Sequence, residues 1–248
     1  MTDPGGSVRA LLFDVQGTAT DFRSTVVEAA EHIVGGRWPG IDWGGFVDRW
    51  RAAYFAALTA MTGPDGAAGA AGAAGAEWSS VHAVYRDSLR RLLDEHGVRL
   101  DDTEVEELTL SWQRLRPWPD TVAGLERLRS RYTLATLSNA DVSAVVNIAK
   151  AGGLRWDAVF AAEMFGAFKP SPAAYLGAAR YLGLPPERIM MVACHKYDVV
   201  AAAGLGFRTA FVARPLEFGV AGAVDVTYDR AFDVNAADFL DLADQLGC

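Results

Sequence analysis

The sequence is poor in cysteine. Of its 248 residues only Cys194 and Cys248 are cysteines. Two thiols are too few for a disulfide framework, and no paired Cys or His spacing of the kind that binds zinc is present. A reducing compartment fits both observations.

Long uninterrupted apolar runs are also missing. Hydrophobic residues make up 51% of the chain, yet no run approaches the ~18 to 20 residues that a membrane-spanning helix needs. The first ten residues, MTDPGGSVRA, lack the basic segment and apolar core of a signal peptide. We therefore expect a cytoplasmic protein that has no membrane partner.

Positive charge is in the minority, with 23 Lys and Arg residues against 31 Asp and Glu residues and a net charge of −8. A negative protein without a basic stripe repels a phosphate backbone, so we expect no nucleic-acid partner. A few local Arg and Lys side chains can still dominate the field inside a cleft, which leaves a small anionic organic substrate compatible with the composition.

Short apolar runs alternate with helical segments over much of the chain. RALLFDV, starting at Arg9, reads as a buried strand that ends in an acid and a turn. Further strands are predicted at YTLATLSN, DAVFAAEMF, RIMMVACH and RTAFVAR, and helices at SPAAYLGAARYLG and YDVVAAAGLG. This alternation indicates a parallel sheet covered on both faces. Reactive groups at the carboxyl ends of its strands would converge on one crevice.

A block of helical spacing separates the first strand from the others. It runs from about Ser24 to Arg116 and contains FVDRWRAAYFAALTAM, VHAVYRDSLRRLLDEHG and DTEVEELTLSWQRL. Because the first strand must join the later ones across these helices, we predict a core of residues 1–20 and 117–248 with an inserted helical cap of residues 21–116. A Gly/Ala-rich loop at residues 63–76 is interpreted as a tolerated insertion, with a lid over the cleft as the alternative.

Polar side chains follow four of the predicted strands. A buried carboxylate is costly unless it is paired, and Lys169 is a reasonable partner for Asp14. The set outlines a nucleophile, hydroxyl and amide donors, and a cation. Its members, in chain order, are Asp14, Gln16, Thr18, Ser138, Asn139, Lys169, His195 and Asp198.

Four short motifs in this order resemble the haloacid dehalogenase (HAD) superfamily over nearly the whole chain. FDVQGTATD is similar to its first motif, LSN to its second, KPSPAAY to its third, and VACHKYD to a variant of its fourth. The chain looks most like the type II 2-haloacid dehalogenases, since it also has a WR pair in an early cap helix and RPWPD before the second core strand. The resemblance implies an α/β fold with a Rossmann-like parallel-sheet HAD core and an inserted helical cap. It also implies no cofactor, and a homodimer is compatible with it because related dehalogenases are commonly dimers.

The resemblance implies five catalytic residues. Asp14 is similar to the nucleophile, Thr18 to the residue that holds its turn, and Lys169 to the lysine that keeps it ionised. Asp198 matches the acid that positions or activates water, and Arg51 matches the cap arginine that accepts the departing halide. Elementary chemistry agrees, because a carboxylate nucleophile must stay ionised and aligned, its ester needs an activated water, and a cation stabilises a departing anion.

The resemblance implies a second group of residues that line the substrate. Ser138 and Asn139 match groups that bind or orient the substrate carboxylate, and Tyr175 matches a tyrosine that hydrogen-bonds nearby. Gln16 and His195 stand at site-lining positions of the first and fourth motifs. A satisfied buried imidazole is the alternative reading of His195.

Two positions depart from the resemblance. Gln16 stands where phosphatases of the superfamily carry a second Asp that protonates the leaving group, and where type II dehalogenases usually carry an aromatic residue. It cannot exchange that proton, and as an amide it suggests a more polar substrate. Cys194 replaces a carboxylate that would help to hold magnesium. We therefore expect a site without a metal.

The leading interpretation is a metal-independent hydrolase that displaces halide from the α-carbon of a small 2-haloalkanoic acid. An aspartyl-ester intermediate would yield a 2-hydroxy acid with inverted configuration. Three alternatives stay open: a related hydrolase that opens a strained cyclic amino acid such as azetidine-2-carboxylate, an atypical phosphatase or phosphonate-cleaving enzyme, and a catalytically silent binding protein with the same fold.

Overall fold

The computed structural model describes residues 8–62, 80–220 and 222–248. The Gly/Ala-rich loop predicted at residues 63–76 lies outside the described residues. None of the helices in the described part of the chain combines the length and the apolar character that a bilayer span requires.

Seven strands and nine α-helices lie along the described chain. The strands are β1 (Ala10–Phe13), β2 (Thr20–Asp21), β3 (Arg116–Pro117), β4 (Thr133–Thr136), β5 (Ile189–Ala193), β6 (Arg208–Val212) and β7 (Val234–Ala236). The helices are α1 (Phe22–Val34), α2 (Trp43–Thr62), α3 (Val81–Glu95), α4 (Asp102–Leu110), α5 (Thr121–Arg129), α6 (Val142–Gly152), α7 (Pro172–Leu182), α8 (Lys196–Gly204) and α9 (Phe239–Gln245). Short 3₁₀ helices occupy Ser111–Gln113, Ala162–Phe165 and Pro186–Arg188.

The central sheet has the strand order β4-β1-β5-β6-β7, and all its pairs are parallel. Every residue of β1 and β5 is buried, as expected for strands covered by helices on both faces. Successive residues of β1 face opposite sides, so that Leu11 and Phe13 join one hydrophobic cluster and Leu12 joins the other. Because β1 lies between β4 and β5, the carboxyl ends of these three strands lie side by side. The parallel sheet flanked by helices confirms the predicted α/β fold class.

Four α-helices, α1 to α4, lie in the described part of the chain between β2 and β3. These two strands pair antiparallel, with Thr20 opposite Pro117 and Asp21 opposite Arg116. The chain therefore leaves the sheet and returns to it through one two-stranded ribbon. One hydrophobic cluster runs from the sheet into these helices and includes Phe13, Phe22 and Trp50. The division into a core and a cap at residues 21–116 stays a prediction.

The prediction of a strand at DAVFAAEMF is wrong. This segment forms isolated bridges in place of a strand, one between Ala158 and Ala135 of β4 and one between Ala161 and Ser138 just after β4. It then enters the 3₁₀ helix at Ala162–Phe165. The Thr136 hydroxyl donates to the Phe160 carbonyl at 3.0 Å and accepts from the Phe160 N–H at 3.0 Å. A side chain thus takes the bonds that a continuous ladder would have made.

Candidate active site

The turn after β1 places Asp14 at the carboxyl edge of the sheet. Gly17 has φ of +94°, a conformation that side chains disfavour. Three side chains from distant parts of the chain, those of Trp118, Arg214 and Thr121, donate to the carbonyl oxygens of residues 17, 18 and 19 at 2.8 to 2.9 Å. The backbone behind Asp14 is therefore fixed by bonds from outside the turn.

Asp14 and Asp198 share one ammonium group. Lys169 donates from Nζ to Asp14 Oδ1 at 2.9 Å and also donates to Asp198 Oδ2. Thr18 donates to Asp14 Oδ2 at 2.6 Å, and Tyr175 donates to Asp198 Oδ1 at 2.6 Å. All five side chains are buried. The structure therefore brings together the predicted nucleophile, its lysine, and the acid predicted to act on water.

The two carboxylates differ in acidity. Burial would raise the pKa of Asp14, but the charges of Lys169 and His195 and the hydrogen bond from Thr18 outweigh it and lower that pKa. Burial raises the pKa of Asp198, and the charge of Asp14 adds to this in spite of Lys169. Burial alone would lower the pKa of Lys169, yet the two carboxylates raise it. Asp14 is the stronger acid and Asp198 the better proton acceptor of the pair.

Arg51 projects from α2 as a buried cation. Its Nη1 donates to Gln16 Oε1 at 2.6 Å and to the Tyr85 hydroxyl. Burial raises the pKa of Tyr85 to about 12, so this phenol is neutral. Among the described residues no carboxylate pairs with Arg51. Four rings surround its guanidinium at 4.7 to 5.4 Å from their centroids, namely Phe22, Tyr54, Phe55 and Trp112.

Ser138 and Asn139 follow β4 at the same edge. The Asn139 amide donates to the Lys169 carbonyl at 3.0 Å and accepts from the Lys169 N–H at 2.7 Å. Both functional groups of the amide thus hold the backbone of the lysine. The Ser138 hydroxyl makes no hydrogen bond with the described residues and can donate one to a substrate carboxylate. Substrate binding by either residue stays a prediction.

His195 follows β5 and lies between two acids. Its Nε2 is 2.8 Å from Glu217 Oε1, and its Nδ1 is 3.4 Å from Asp14 Oδ2. A Cβ atom at Gly17 would lie 2.5 Å from Glu217 Oε1 and 3.3 Å from the His195 ring. The glycine of the first motif therefore makes room for this pair.

Sequence reasoning missed Glu217, Arg214 and Tyr85. Glu217 and Arg214 belong to the segment after β6, to which the sequence analysis gave no site residue. Because β6 is parallel to β5, its carboxyl end reaches the same edge, and the polar residues of ARPLEFG could have been included on that ground. Tyr85 lies on a helical stripe that resembles ordinary core.

The residues at the edge do not fit the magnesium ion that HAD phosphatases use. The Lys169 ammonium bridges Asp14 and Asp198 and already offsets the charge of these carboxylates. Among the described residues, Asp14, Cys194 and His195 form a group whose possible ligand atoms lie within 4.8 Å of one another. A thiol and an imidazole are not the hard oxygen ligands that magnesium prefers.

A parallel sheet with an aspartate–lysine–aspartate cluster at its carboxyl edge defines a hydrolase of the HAD class. The sequence model of the haloacid dehalogenase-like hydrolase family matches residues 8–206, and the chain belongs to this family. The superfamily resemblance and the expectation of an enzyme are thereby confirmed.

Individual relatives narrow the resemblance to type II dehalogenases. The crystal structure of an L-2-haloacid dehalogenase is 39% identical, with a TM-score of 0.86, and the match covers 96% of this chain and 99% of that one. A defluorinating L-2-haloacid dehalogenase is 33% identical, with a TM-score of 0.88 and 98% of both chains covered. The (S)-2-haloacid dehalogenase of Xanthobacter autotrophicus is 28% identical over 84% of this chain and 76% of the relative.

Proposed function

We propose that the protein is a metal-independent 2-haloacid dehalogenase that converts a small 2-haloalkanoic acid into a 2-hydroxy acid. The observation that carries the proposal is the buried Arg51 guanidinium, which has no acid partner among the described residues and is bonded to Gln16, two positions after Asp14. A buried cation without a counter-charge is costly. A departing halide or the substrate carboxylate supplies that charge.

The first step is displacement at carbon. Asp14 stays ionised beside Lys169, and the braced turn holds its carboxylate in place. One carboxylate oxygen attacks the α-carbon from the side opposite the halide, forms a C–O bond and inverts the centre. The C–halogen electron pair leaves with the halide, whose charge Arg51 stabilises.

The second step is hydrolysis of the ester on Asp14. Water attacks the side-chain carbonyl carbon, and Asp198 is the acceptor for its proton because burial raises the pKa of this carboxyl group. The C–O bond to the substrate carbon stays intact. The 2-hydroxy acid leaves, and Asp14 is regenerated as a carboxylate.

Gln16 weighs against a phosphatase. Its Oε1 accepts from Arg51 and from Tyr85, at 2.6 and 3.4 Å. The amide oxygen is therefore committed as an acceptor, and an amide N–H is too weak an acid to protonate a leaving alcohol. The same bonds weaken the argument for a polar substrate, because only the amide nitrogen remains to contact one.

Halide release from the separate enantiomers of 2-chloropropionate and 2-bromopropionate tests the proposal. We expect halide release from the (S) enantiomers, the series for which the relatives are named. We expect no phosphate release from p-nitrophenyl phosphate, a general phosphatase substrate. Phosphate release that requires magnesium, without halide release from any short 2-halo acid, would contradict the proposal.

A further inference from the structure

A second buried ion pair stands beside the nucleophile and has no part in the two steps above. Glu217 is 2% exposed, and its carboxylate lies 2.8 Å from His195 Nε2. The opposite ring nitrogen, Nδ1, is buried, has no hydrogen-bond partner among the described residues, and lies 3.4 Å from Asp14 Oδ2. A buried polar atom left without a partner is uncommon and calls for an explanation.

The two oxygens of Asp14 have different surroundings. Oδ1 accepts from Lys169. Oδ2 accepts from Thr18 at 2.6 Å and faces His195 Nδ1. The more crowded Oδ2 is poorly placed to attack a substrate, so Oδ1 is the oxygen that becomes alkylated and Oδ2 becomes the carbonyl oxygen of the ester.

We propose that His195, held as an imidazolium by Glu217, stabilises the negative charge that develops on Asp14 Oδ2 when water attacks the ester. His195 is then a catalytic residue of the second step, and Glu217 is its positioning residue. The inference rests on the proposed dehalogenase function and assigns a specific step of it to this pair.

The electron flow explains why the pair acts on the second step. Water forms a bond to the ester carbon, and the C=O electron pair moves onto Oδ2, where the Nδ1–H of His195 and the Thr18 hydroxyl donate to it. The pair then returns, the bond from that carbon to Oδ1 breaks, and the proton lost by water ends on the departing hydroxy acid. In the first step negative charge leaves Asp14 instead. A cation at Oδ2 therefore gives no acceleration there.

The charge state of His195 agrees with this assignment. The groups that face its ring are Asp14, Cys194, Glu217 and the Tyr197 ring, which stacks on it at 5.6 Å. Burial would lower the pKa of His195, but contacts with Cys194, Glu217 and Asp14 outweigh it and raise that pKa well above its ordinary value. Burial raises the pKa of the Cys194 thiol, so the thiol stays neutral and Glu217 supplies the lasting negative charge.

Rapid-quench kinetics of His195→Gln with (S)-2-chloropropionate tests the step. We expect a burst of one halide per active site at close to the wild-type rate, followed by turnover slowed about 100-fold, the usual cost of one oxyanion donor. Intact-mass measurement should then show the ester accumulating on the protein. His32→Gln, at an exposed position on α1, is the matched control and should behave as wild type.

A second variant, Glu217→Gln, tests whether Glu217 positions His195 or only supports the fold. In Glu217→Gln the imidazolium loses its counter-charge, so the alkaline limb of the ester-hydrolysis profile should move to lower pH by about one unit or more. Its rate should return toward the wild-type value at acidic pH. An equal loss at every pH would mean that Glu217 only supports the fold. Glu187→Gln, on an exposed 3₁₀ helix, is the control.

The outcomes distinguish this inference from the proposed function. If the wild-type enzyme releases no halide, the proposed function fails and the inference falls with it. If the wild-type enzyme turns over and His195→Gln shows no burst and no ester, or slows the burst as much as the turnover, the proposed function stands and the assignment of His195 to the second step is wrong.

Discussion

At the scale of single residues, the acidity of Asp14 and Asp198 follows from their neighbours. Both are buried aspartates and both contact Lys169. Asp14 also has Thr18 and His195 on its second oxygen, whereas Asp198 is 0% exposed and adds only Tyr175. Two carboxyl groups whose environments push their pKa values apart can take separate parts in one reaction.

Asp14→Asn tests the nucleophile. The amide keeps the size of the carboxylate but is not an anion, so we expect halide release to fall by at least about 10⁴-fold. Circular dichroism and thermal unfolding should show a folded protein, since Lys169 retains Asp198 as a partner. Substantial activity in this variant, on a substrate that the wild-type enzyme cleaves, would rule out an ester on Asp14.

Arg51 variants test the leaving-group site. The contact strengthens as charge develops on the halide, so Arg51→Ala should slow a chloro acid more than the corresponding bromo acid, which has the better leaving group. Arg51→Lys keeps the charge but replaces the planar guanidinium, whose Nη1 donates to both Gln16 and Tyr85, with a compact ammonium on a different stem, and its activity should be intermediate. Pre-steady-state halide release measures both. Equal losses for both halides would remove Arg51 from the leaving-group site.

At the scale of elements, strand ends were predictable and contacts between distant segments were not. Buried apolar runs mark β1, β4, β5 and β6, and parallel pairing brings their carboxyl ends together whatever lies between them. The apolar run at DAVFAAEMF is visible in the sequence, but the Thr136–Phe160 bonds that interrupt the ladder are not. The short strand β7 lies in a polar stretch without an apolar run. The contact between Glu217 and His195 depends on how the segment after β6 folds back toward the end of β5, which the sequence pattern does not show.

A largely buried ion pair helps to hold the turn before β2. Asp120 accepts two bonds from Arg214, both at 2.8 Å, and Arg214 also donates to the Thr18 carbonyl. Asp120 is the acid of the RPWPD sequence. Asp120→Ala would leave a buried guanidinium without its partner, so we expect unfolding free energy to fall by about 3 kcal/mol in denaturant titrations.

The control for this variant is Asp94→Ala, which removes an exposed partner of Arg99 and should cost about 0.5 kcal/mol or less. The stabilisation from Asp120 also has a defined pH window. Burial would raise its pKa, but Arg214 lowers it below 3.8, so the contribution is complete above the ordinary pKa and is lost as the pH falls through the folded one. No difference between Asp120→Ala and Asp94→Ala near neutral pH would show that the ion pair adds nothing.

At the scale of the whole molecule, a chain with a net charge of −8 holds a nearly balanced site. Its cations are Arg51, Lys169 and the proposed imidazolium of His195, and its anions are Asp14, Asp198 and Glu217. A substrate carboxylate, or the halide that leaves, then adds the charge that Arg51 lacks in its own surroundings. The expected homodimer stays a prediction, which light scattering on the eluting protein measures.

This balance predicts that turnover needs no divalent metal. A magnesium ion between Asp14 and Asp198 would have to displace the Lys169 ammonium, which already binds both carboxylates. It would also lack a full set of hard oxygen ligands, since the nearby groups are the Cys194 thiol and the His195 imidazole. Chelator should therefore leave the rate of halide release unchanged, and added magnesium should produce no phosphatase activity. Turnover that chelator abolishes and magnesium restores would show that the ammonium yields its place to the ion, and would favour phosphoryl transfer over dehalogenation.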